Sequence, residues 1–156
     1  MLYEDEPIRK LTICRGLQAS GKSTFAEEYV AASPETRTRI NRDLIRHTYF
    51  NSYWGDSVDE QGVTIIEMTI AQTLMVKHDR DIVVDNTNLK DEAVLPYLKM
   101  ADIWGYVVEF VDFNVHLDEL LRRDAAREKS VGEAVIRSYH EKFIVNGELP
   151  PIPVLA

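Results

Sequence analysis

Short apolar runs and longer stretches of three- and four-residue apolar spacing alternate along this chain. Leu11-Thr12-Ile13-Cys14, Ile82-Val83-Val84 and Tyr106 to Val111 are runs of the kind carried by strands buried on both faces, and Thr38-Arg39-Ile40-Asn41 reads as a further short strand. Helical spacing fills the gaps. A helix from Ser23 to Val30 follows the first run, and Val58 to Lys77 carries Val63, Ile66, Ile70 and Leu74 as a stripe on one face. Asn88, followed by Asp91 and Glu92, opens the next helix with a cap and dipole-favouring charges, and Gly105 closes it. Leu117, Leu120 and Leu121 mark the core side of a later helix on which Arg123 and Arg127, four apart, point outward together. Ser130 and Glu133 have capping-box spacing ahead of Val135, Ile136, Tyr139 and Phe143, and Asn146-Gly147 ends that helix. Pro150, Pro151 and Pro153 bar the tail from continuing it.

This alternation predicts an α/β fold, with a mostly parallel sheet of about four to five strands flanked by helices and ligands bound at the carboxyl ends of the strands. At 156 residues the chain suits a single domain, read as residues 1–149 followed by a Pro-rich tail over 150–156. Its 45% hydrophobic and 28% charged residues are those of a globular protein, and no apolar run is long enough to span a membrane. The acidic segment Met1 to Glu6 lacks the basic start of a secretory signal, and the lone Cys14 reads as a small buried hydrophobe in a reducing compartment. The expected location is cytoplasmic, with no membrane association. His47, His78, His116 and His140 are scattered without ligand spacing, so a metal is expected to arrive with a nucleotide. A net charge of −8 argues against a broadly basic nucleic-acid-binding surface. Positive charge nevertheless clusters at Arg37, Arg39, Arg42 and Arg46, and again at Arg122, Arg123, Arg127 and Lys129.

The most specific chemistry lies in Gly16-Leu17-Gln18-Ala19-Ser20-Gly21-Lys22-Ser23-Thr24, which fits the phosphate-cradling pattern G-x-x-x-x-G-K-[ST] between a strand and a helix. Gly16 and Gly21 let the loop turn its backbone N–H groups inward, together with those of Ala19 and Ser20. Lys22 answers the β/γ-phosphate charge, and the Ser23 hydroxyl reaches Mg²⁺. A nucleoside triphosphate, ATP or another, is the implied donor. Asp43 and Arg46 emerge at the carboxyl end of the second strand, three apart on a helix, and place a candidate base beside a cation. Asp43 also suits a helix N-terminal charge. Asp85, at the end of a buried strand, is placed to hold Mg²⁺ directly or through water, or to form a turn. Arg123 and Arg127 read either as a solvated face or as a lid that closes over the phosphates.

Taken in order, G-x-x-x-S-G-K-S-T, N-R-D-x-x-R, D-N-T-N and the paired arginines resemble the kinase module of 5′-hydroxyl polynucleotide kinases from phages and nucleic-acid repair enzymes. The resemblance covers nearly the whole chain and implies a P-loop kinase fold with an Arg-bearing helical lid. Position by position, it implies that Lys22, Ser23 and Thr24 hold the donor phosphates and Mg²⁺, and that Asp43 activates a 5′-OH on DNA or RNA. Arg46 would contact the acceptor's 3′-phosphate. Arg127, or Arg123, would be the lid cation, and Thr87 and Asn88 would line the acceptor tunnel. Gln18-Ala19 stands where many members carry Pro-Gly, and no D-x-D-x-T phosphatase signature occurs. An accompanying ligase or 3′-phosphatase would therefore come from another chain or domain. A small-molecule kinase of gluconate, shikimate or nucleoside type would share the loop, the acceptor-side Asp and Arg, and the lid; a binding module without turnover would not require Asp43.

Overall fold

The computed structural model describes residues 6–52 and 55–156. A phosphate loop needs a rigid strand behind it, and the chain builds one at the centre of a sheet. β1 (Arg9–Gly16) is flanked by β3 (Asp81–Asp85) and β4 (Tyr106–Phe113), and β2 (Arg37–Ile40) adds to β3, giving a four-stranded parallel sheet in the order β2-β3-β1-β4. The order places β1 and β3 inside, where unbroken apolar runs are affordable. Around it lie α1 (Lys22–Ala31), α2 (Arg42–Phe50), α3 (Ser57–Lys77), α4 (Asp91–Trp104), α5 (Leu117–Ala126) and α6 (Glu133–Phe143). The α/β class and the parallel sheet expected from the sequence are what the chain forms.

Side chains alternate across the sheet, so each strand feeds two cores. Leu11, Ile13, Ile40, Ile82 and Val84 pack with Ala71 and Met75 of α3 and with Val94, Tyr97 and Ala101 of α4. Cys14 and Val83 face the other way and meet Ala26 of α1, with Phe25, Tyr29, Val30 and Phe113 around them. Cys14 is fully buried, as its place in an apolar run requires. A third cluster, Leu17, Leu89, Leu120 and Ile136, docks the α5–α6 pair against the phosphate loop itself through Leu17.

Four local readings change. The buried face of α3 is Val63, Glu67, Ala71 and Met75, one step round from the expected stripe, because a carboxylate on that face hides the pattern. Asn88 does not cap α4; Lys90 occupies the N-cap position and Asn88 sits in a left-handed turn with φ 50°. Ser130 does not cap α6, whose N-cap is Gly132; the Ser130 hydroxyl donates to Asp124 instead. Asn146-Gly147 does more than end α6, which stops at Phe143: Val145 and Glu148 exchange backbone hydrogen bonds across it, closing a two-residue hairpin. The chain beyond that turn is anchored, since buried Arg15 donates through Nε and Nη2 to the two oxygens of Asp112 and through Nη2 to the Pro150 carbonyl at 2.8 Å.

Ile136 is fully buried in the cluster that holds the α5–α6 pair to the loop. Ile136→Ala is expected to cost about 2–5 kcal/mol of stability in urea denaturation, as a cavity in a well-packed core does. A cost below about 0.5 kcal/mol would show that the pair does not rest on this contact.

Candidate active site

At the carboxyl end of β1 the chain turns sharply. Gly16 leaves no room for a side chain: a Cβ there would lie 2.7 Å from the Phe113 carbonyl oxygen. Its N–H donates to the Thr87 carbonyl at 3.0 Å, tying the loop to the turn after β3. Gly21, at φ 104° and ψ 4°, is the N-cap of α1, so the positive end of the helix dipole and its free N–H groups face the cleft. Ala19 adopts φ 64°, so the loop keeps a left-handed residue where a glycine would be cheaper by about 1–2 kcal/mol.

Lys22 is folded back into this loop. Its Nζ donates to the carbonyls of Gly16 (2.9 Å) and Leu17 (2.6 Å) and to the Ser20 hydroxyl (3.2 Å), and the residue is 7% exposed. Burial pushes its ammonium down to about 8, against the opposing pull of the Asp85 carboxylate. The loop encloses a cleft of about 590 Å³ lined by Ala19 to Phe25, Glu28, Arg123 and Arg127. All the phosphate-loop residues expected from Ala19 to Thr24, and both lid arginines, therefore share one cleft, while Gly16 lies behind it.

The two arginines reach it differently. Arg123 is on α5, and its Nη1 donates to the Ser20 carbonyl at 3.3 Å. Arg127 is not on that helix: α5 ends at Ala126, and Arg127 is its C-cap in extended conformation, φ −95° and ψ 150°. Asp124 explains the break. Its carboxylate is 2% exposed and accepts from Arg127 Nε (2.8 Å), the Ser130 hydroxyl (2.6 Å) and the N–H groups of Val131 (3.1 Å) and Gly132 (3.0 Å). Burial alone would raise its pKa, but these hydrogen bonds together hold it below the usual carboxylate range. The α5–α6 junction is thus wound round one anion.

On the other side of the loop stands a second set of charges. Asn41, the N-cap of α2, accepts from Leu44 N–H through Oδ1 and donates through Nδ2 to the Asp85 carbonyl at 2.6 Å. Arg42 N–H donates to Asn86 Oδ1 at 2.9 Å, which pins the start of α2 to the turn after β3. Asp43 and Arg46 then project from the first turns of α2. Asp43 is exposed, and its Oδ1 accepts from Arg46 Nη1 at 2.6 Å. Arg46 also gives Nε and Nη2 to the two oxygens of Glu60, whose carboxyl it holds below the usual range. Behind them, buried Glu67 accepts from Arg42 Nη1 (2.6 Å), Tyr97 OH (2.8 Å) and Asn86 Nδ2 (3.2 Å).

The expected acceptor-side residues are only partly accessible. Asn88 is 2% exposed and donates to the Cys14 carbonyl at 2.7 Å, and Thr87 contributes its carbonyl to Gly16, so both serve the turn in this conformation. Asp85 is 2% exposed, with its carboxylate engaged by Arg39 and Asn41. Among the described residues no group of His, Cys, Asp and Glu is placed to hold a metal ion alone. Ser23, exposed in the cleft, suits a cation that also binds nucleotide phosphates, and the side-chain contacts of Asp85 gather on its Oδ2. The sequence placed Arg39 only in a basic cluster and Asn86 only within D-N-T-N, and reading it missed Glu60, Glu67, Tyr97 and Asp124. The carboxylate in the apolar face of α3 was the visible signal for Glu67; the others act through pairings that appear only once the chain is folded.

A four-stranded parallel sheet with a phosphate loop at its central strand, helices on both faces and an arginine-bearing helical pair over the loop defines the P-loop kinase fold. Residues 11–145 match the AAA domain family, and the chain belongs to it. It is 28% identical over 152 residues to the "Putative bifunctional polynucleotide kinase/RNA ligase" of Autographa californica nuclear polyhedrosis virus, a match covering 87% of this chain and 21% of that protein. A chain in the solved structure of a Pnkp1/Rnl/Hen1 complex superposes with a TM-score of 0.67 at 20% identity, over 98% of this chain and 48% of that one. The APS kinase CysC of Mycobacterium tuberculosis, solved with AMPPNP and APS, superposes with a TM-score of 0.60 at 22% identity, over 83% of this chain and 76% of that one. This chain thus spans about a fifth of the curated relative and about half of the first solved one.

Because phosphate oxygens favour the charged lysine, nucleotide binding should raise the Lys22 pKa from about 8 and take up a proton above that pH. Calorimetry of ATP binding at pH 8 in buffers of different ionisation enthalpy is expected to show uptake of about half a proton, fading toward pH 6.5. Lys22→Arg should abolish it. Equal uptake in that variant would place the titrating group elsewhere.

Proposed function

We propose that the protein is a polynucleotide 5′-hydroxyl kinase that transfers the γ-phosphate of ATP, or another nucleoside triphosphate, to the 5′-OH end of DNA or RNA. The observation that carries this reading is the Asp43–Arg46 pair: an exposed carboxylate, hydrogen-bonded by a guanidinium, at the strand ends where the phosphate loop also opens. The name of the viral relative supports the choice of acceptor.

In this reading Asp43 accepts the proton of the 5′-OH as its oxygen bonds to the γ-phosphorus, and the β–γ bridging oxygen leaves with the nucleoside diphosphate. Arg46 donates to Asp43 and orients its carboxylate, with N–H groups left for the phosphate on the 3′ side of the acceptor nucleotide. Lys22 turns from the loop carbonyls to the donor phosphates. Arg123 supplies charge from above the loop, with Arg127 beside it. Mg²⁺, held through Ser23 and the phosphates, would offset charge on the transferring group. The net charge of −8 restricts the nucleic-acid contact to the strand end and its nearest phosphates. The viral relative's name joins a kinase to an RNA ligase, and by analogy the sealing step would belong to another domain or chain.

A small-molecule kinase is the second reading. The APS kinase superposition favours it, as does Glu60, which leaves the acceptor side with more acid than base.

The test is phosphate transfer from labelled ATP to a 5′-OH oligonucleotide, measured beside transfer to APS, gluconate and nucleosides. Transfer to the oligonucleotide is expected to dominate, and Asp43→Asn should lower kcat about 10²-fold or more while leaving ATP affinity within about twofold. Transfer only to a small acceptor would establish the second reading. Normal turnover in Asp43→Asn would reduce Asp43 to a helix N-terminal charge.

A further inference from the structure

The transfer chemistry assigned to Lys22, Asp43 and the arginines leaves the buried acid between α5 and α6 without a task. Asp124 lies in the last turn of α5, and its two oxygens divide the donors around it. Oδ2 accepts from the Ser130 hydroxyl at 2.6 Å and from Gly132 N–H at 3.0 Å, and Oδ1 accepts from Val131 N–H at 3.1 Å. These three donors follow one another along the chain and hold the carboxylate without Arg127. Gly132 turns at φ 97° and ψ 148°, and a Cβ there would meet nothing within 4 Å, so this glycine serves the backbone turn and not packing. Arg127 then lays Nε (2.8 Å) and Nη2 (2.8 Å) on Oδ1, two of its three nitrogens on one oxygen. The same residue lines the cleft of the phosphate loop.

We infer that Asp124 is a positioning residue for phosphoryl transfer: fixed by the 130–132 turn, it holds the Arg127 guanidinium in one place beside the donor phosphates. Arg123 shows the contrast. Its acid, Glu119, is half-buried and shared with Arg122, and its link to the loop is a single donation to the Ser20 carbonyl at 3.3 Å. Water screens that pairing, so it constrains a side chain less than a buried carboxylate that is itself held by a turn. The charge of Arg127 also reaches the loop, where it disfavours the charged form of Lys22, so a polyanion between the two would relieve both. An arginine that has left its helix has many rotamers to lose, and a buried acid on two of its nitrogens orders it before substrate arrives.

This rests on the cleft transferring phosphate from a nucleoside triphosphate and is independent of what the acceptor is. The test is a double-mutant cycle on kcat, with ATP affinity by calorimetry and melting temperature beside it, using whichever of the oligonucleotide and small acceptors the wild type phosphorylates. Asp124→Asn keeps the shape of the side chain and removes its charge. It should lower kcat about tenfold or more, the cost of a misplaced group near the reacting atoms, and leave ATP affinity within about threefold. In an Arg127→Ala background the same substitution should change kcat by less than about twofold, because the group it acts through is gone. Ser130→Ala, which takes one donor from Oδ2 and leaves Arg127 on Oδ1, should lower the melting temperature and keep kcat within about twofold. If Asp124→Asn does not fold, Asp124→Glu, which keeps the charge and moves it by one methylene, takes its place in the cycle with the same expected pattern. Equal falls in kcat in both backgrounds would make Asp124 a support of the junction alone and overturn the inference, as would an Arg127→Ala protein that turns over like wild type. A wild type that consumes no ATP with any acceptor would instead remove the transfer reading on which it stands.

Discussion

The carboxylate and carbonyl of Asp85, at the carboxyl end of β3, are the point on which the other parts converge. Through Asn41 they fix the exit of β2 and the first turn of α2; through Arg39 they hold the edge strand and reach α1. The next residues continue the same work. Asn86 takes Arg42 N–H, the Thr87 carbonyl takes Gly16 N–H, and Asn88 spans to the Cys14 carbonyl. One short turn thereby sets the distance between the phosphate loop and the helix that carries Asp43. A buried anion is stable there only because cations and amides surround it, and the same low exposure makes each of those contacts geometrically demanding.

The same arrangement recurs around the cleft. Asp85 with Arg39, Glu67 with Arg42, Glu60 with Arg46, and Asp124 with Arg127 each couple an acid to an arginine that borders the site. These pairings give the basic clusters of the sequence a structural meaning: Arg39, Arg42, Arg46 and Arg127 brace carboxylates around the cleft. In the cleft Lys22 is satisfied by loop carbonyls that a phosphate can replace, Arg123 is held by the Ser20 carbonyl and by half-buried Glu119, and Arg46 keeps N–H groups beyond those it gives to Asp43 and Glu60. Such pre-paired charges are oriented before substrate arrives, which lowers the cost of ordering them during transfer.

The loop, the parallel sheet and the helix order were legible in the sequence because each rests on local pattern: glycines at fixed spacing, apolar runs, and helical periodicity. The contact between Asp43 and Arg46 was legible because residues three apart on a helix share a face. Arg127 was misplaced because nothing local says that α5 ends at Ala126; a buried Asp124 that takes its hydrogen bonds from four later residues ends it. Asp85 reads as holding Mg²⁺ directly or through water, or as a turn residue, from its position along the chain, which says nothing of Arg39, 46 residues away, whose guanidinium meets its carboxylate. Glu67 was passed over because the stripe of Val63, Ile66, Ile70 and Leu74 drew the buried face one step away from it. In each case the missing information was a long-range pairing of charges, which apolar periodicity does not encode.

The acceptor is the central question, and one thermodynamic cycle addresses it. It compares kcat/KM for a nucleoside 3′-monophosphate and the bare nucleoside, in wild type and in Arg46→Ala. An acceptor phosphate that meets Arg46 gives a wild-type preference of tenfold or more, about 1.5–3 kcal/mol, most of which the substitution removes. Equal use of both acceptors by both proteins, with no transfer to a 5′-OH oligonucleotide, would contradict a nucleic-acid end as the substrate of this site.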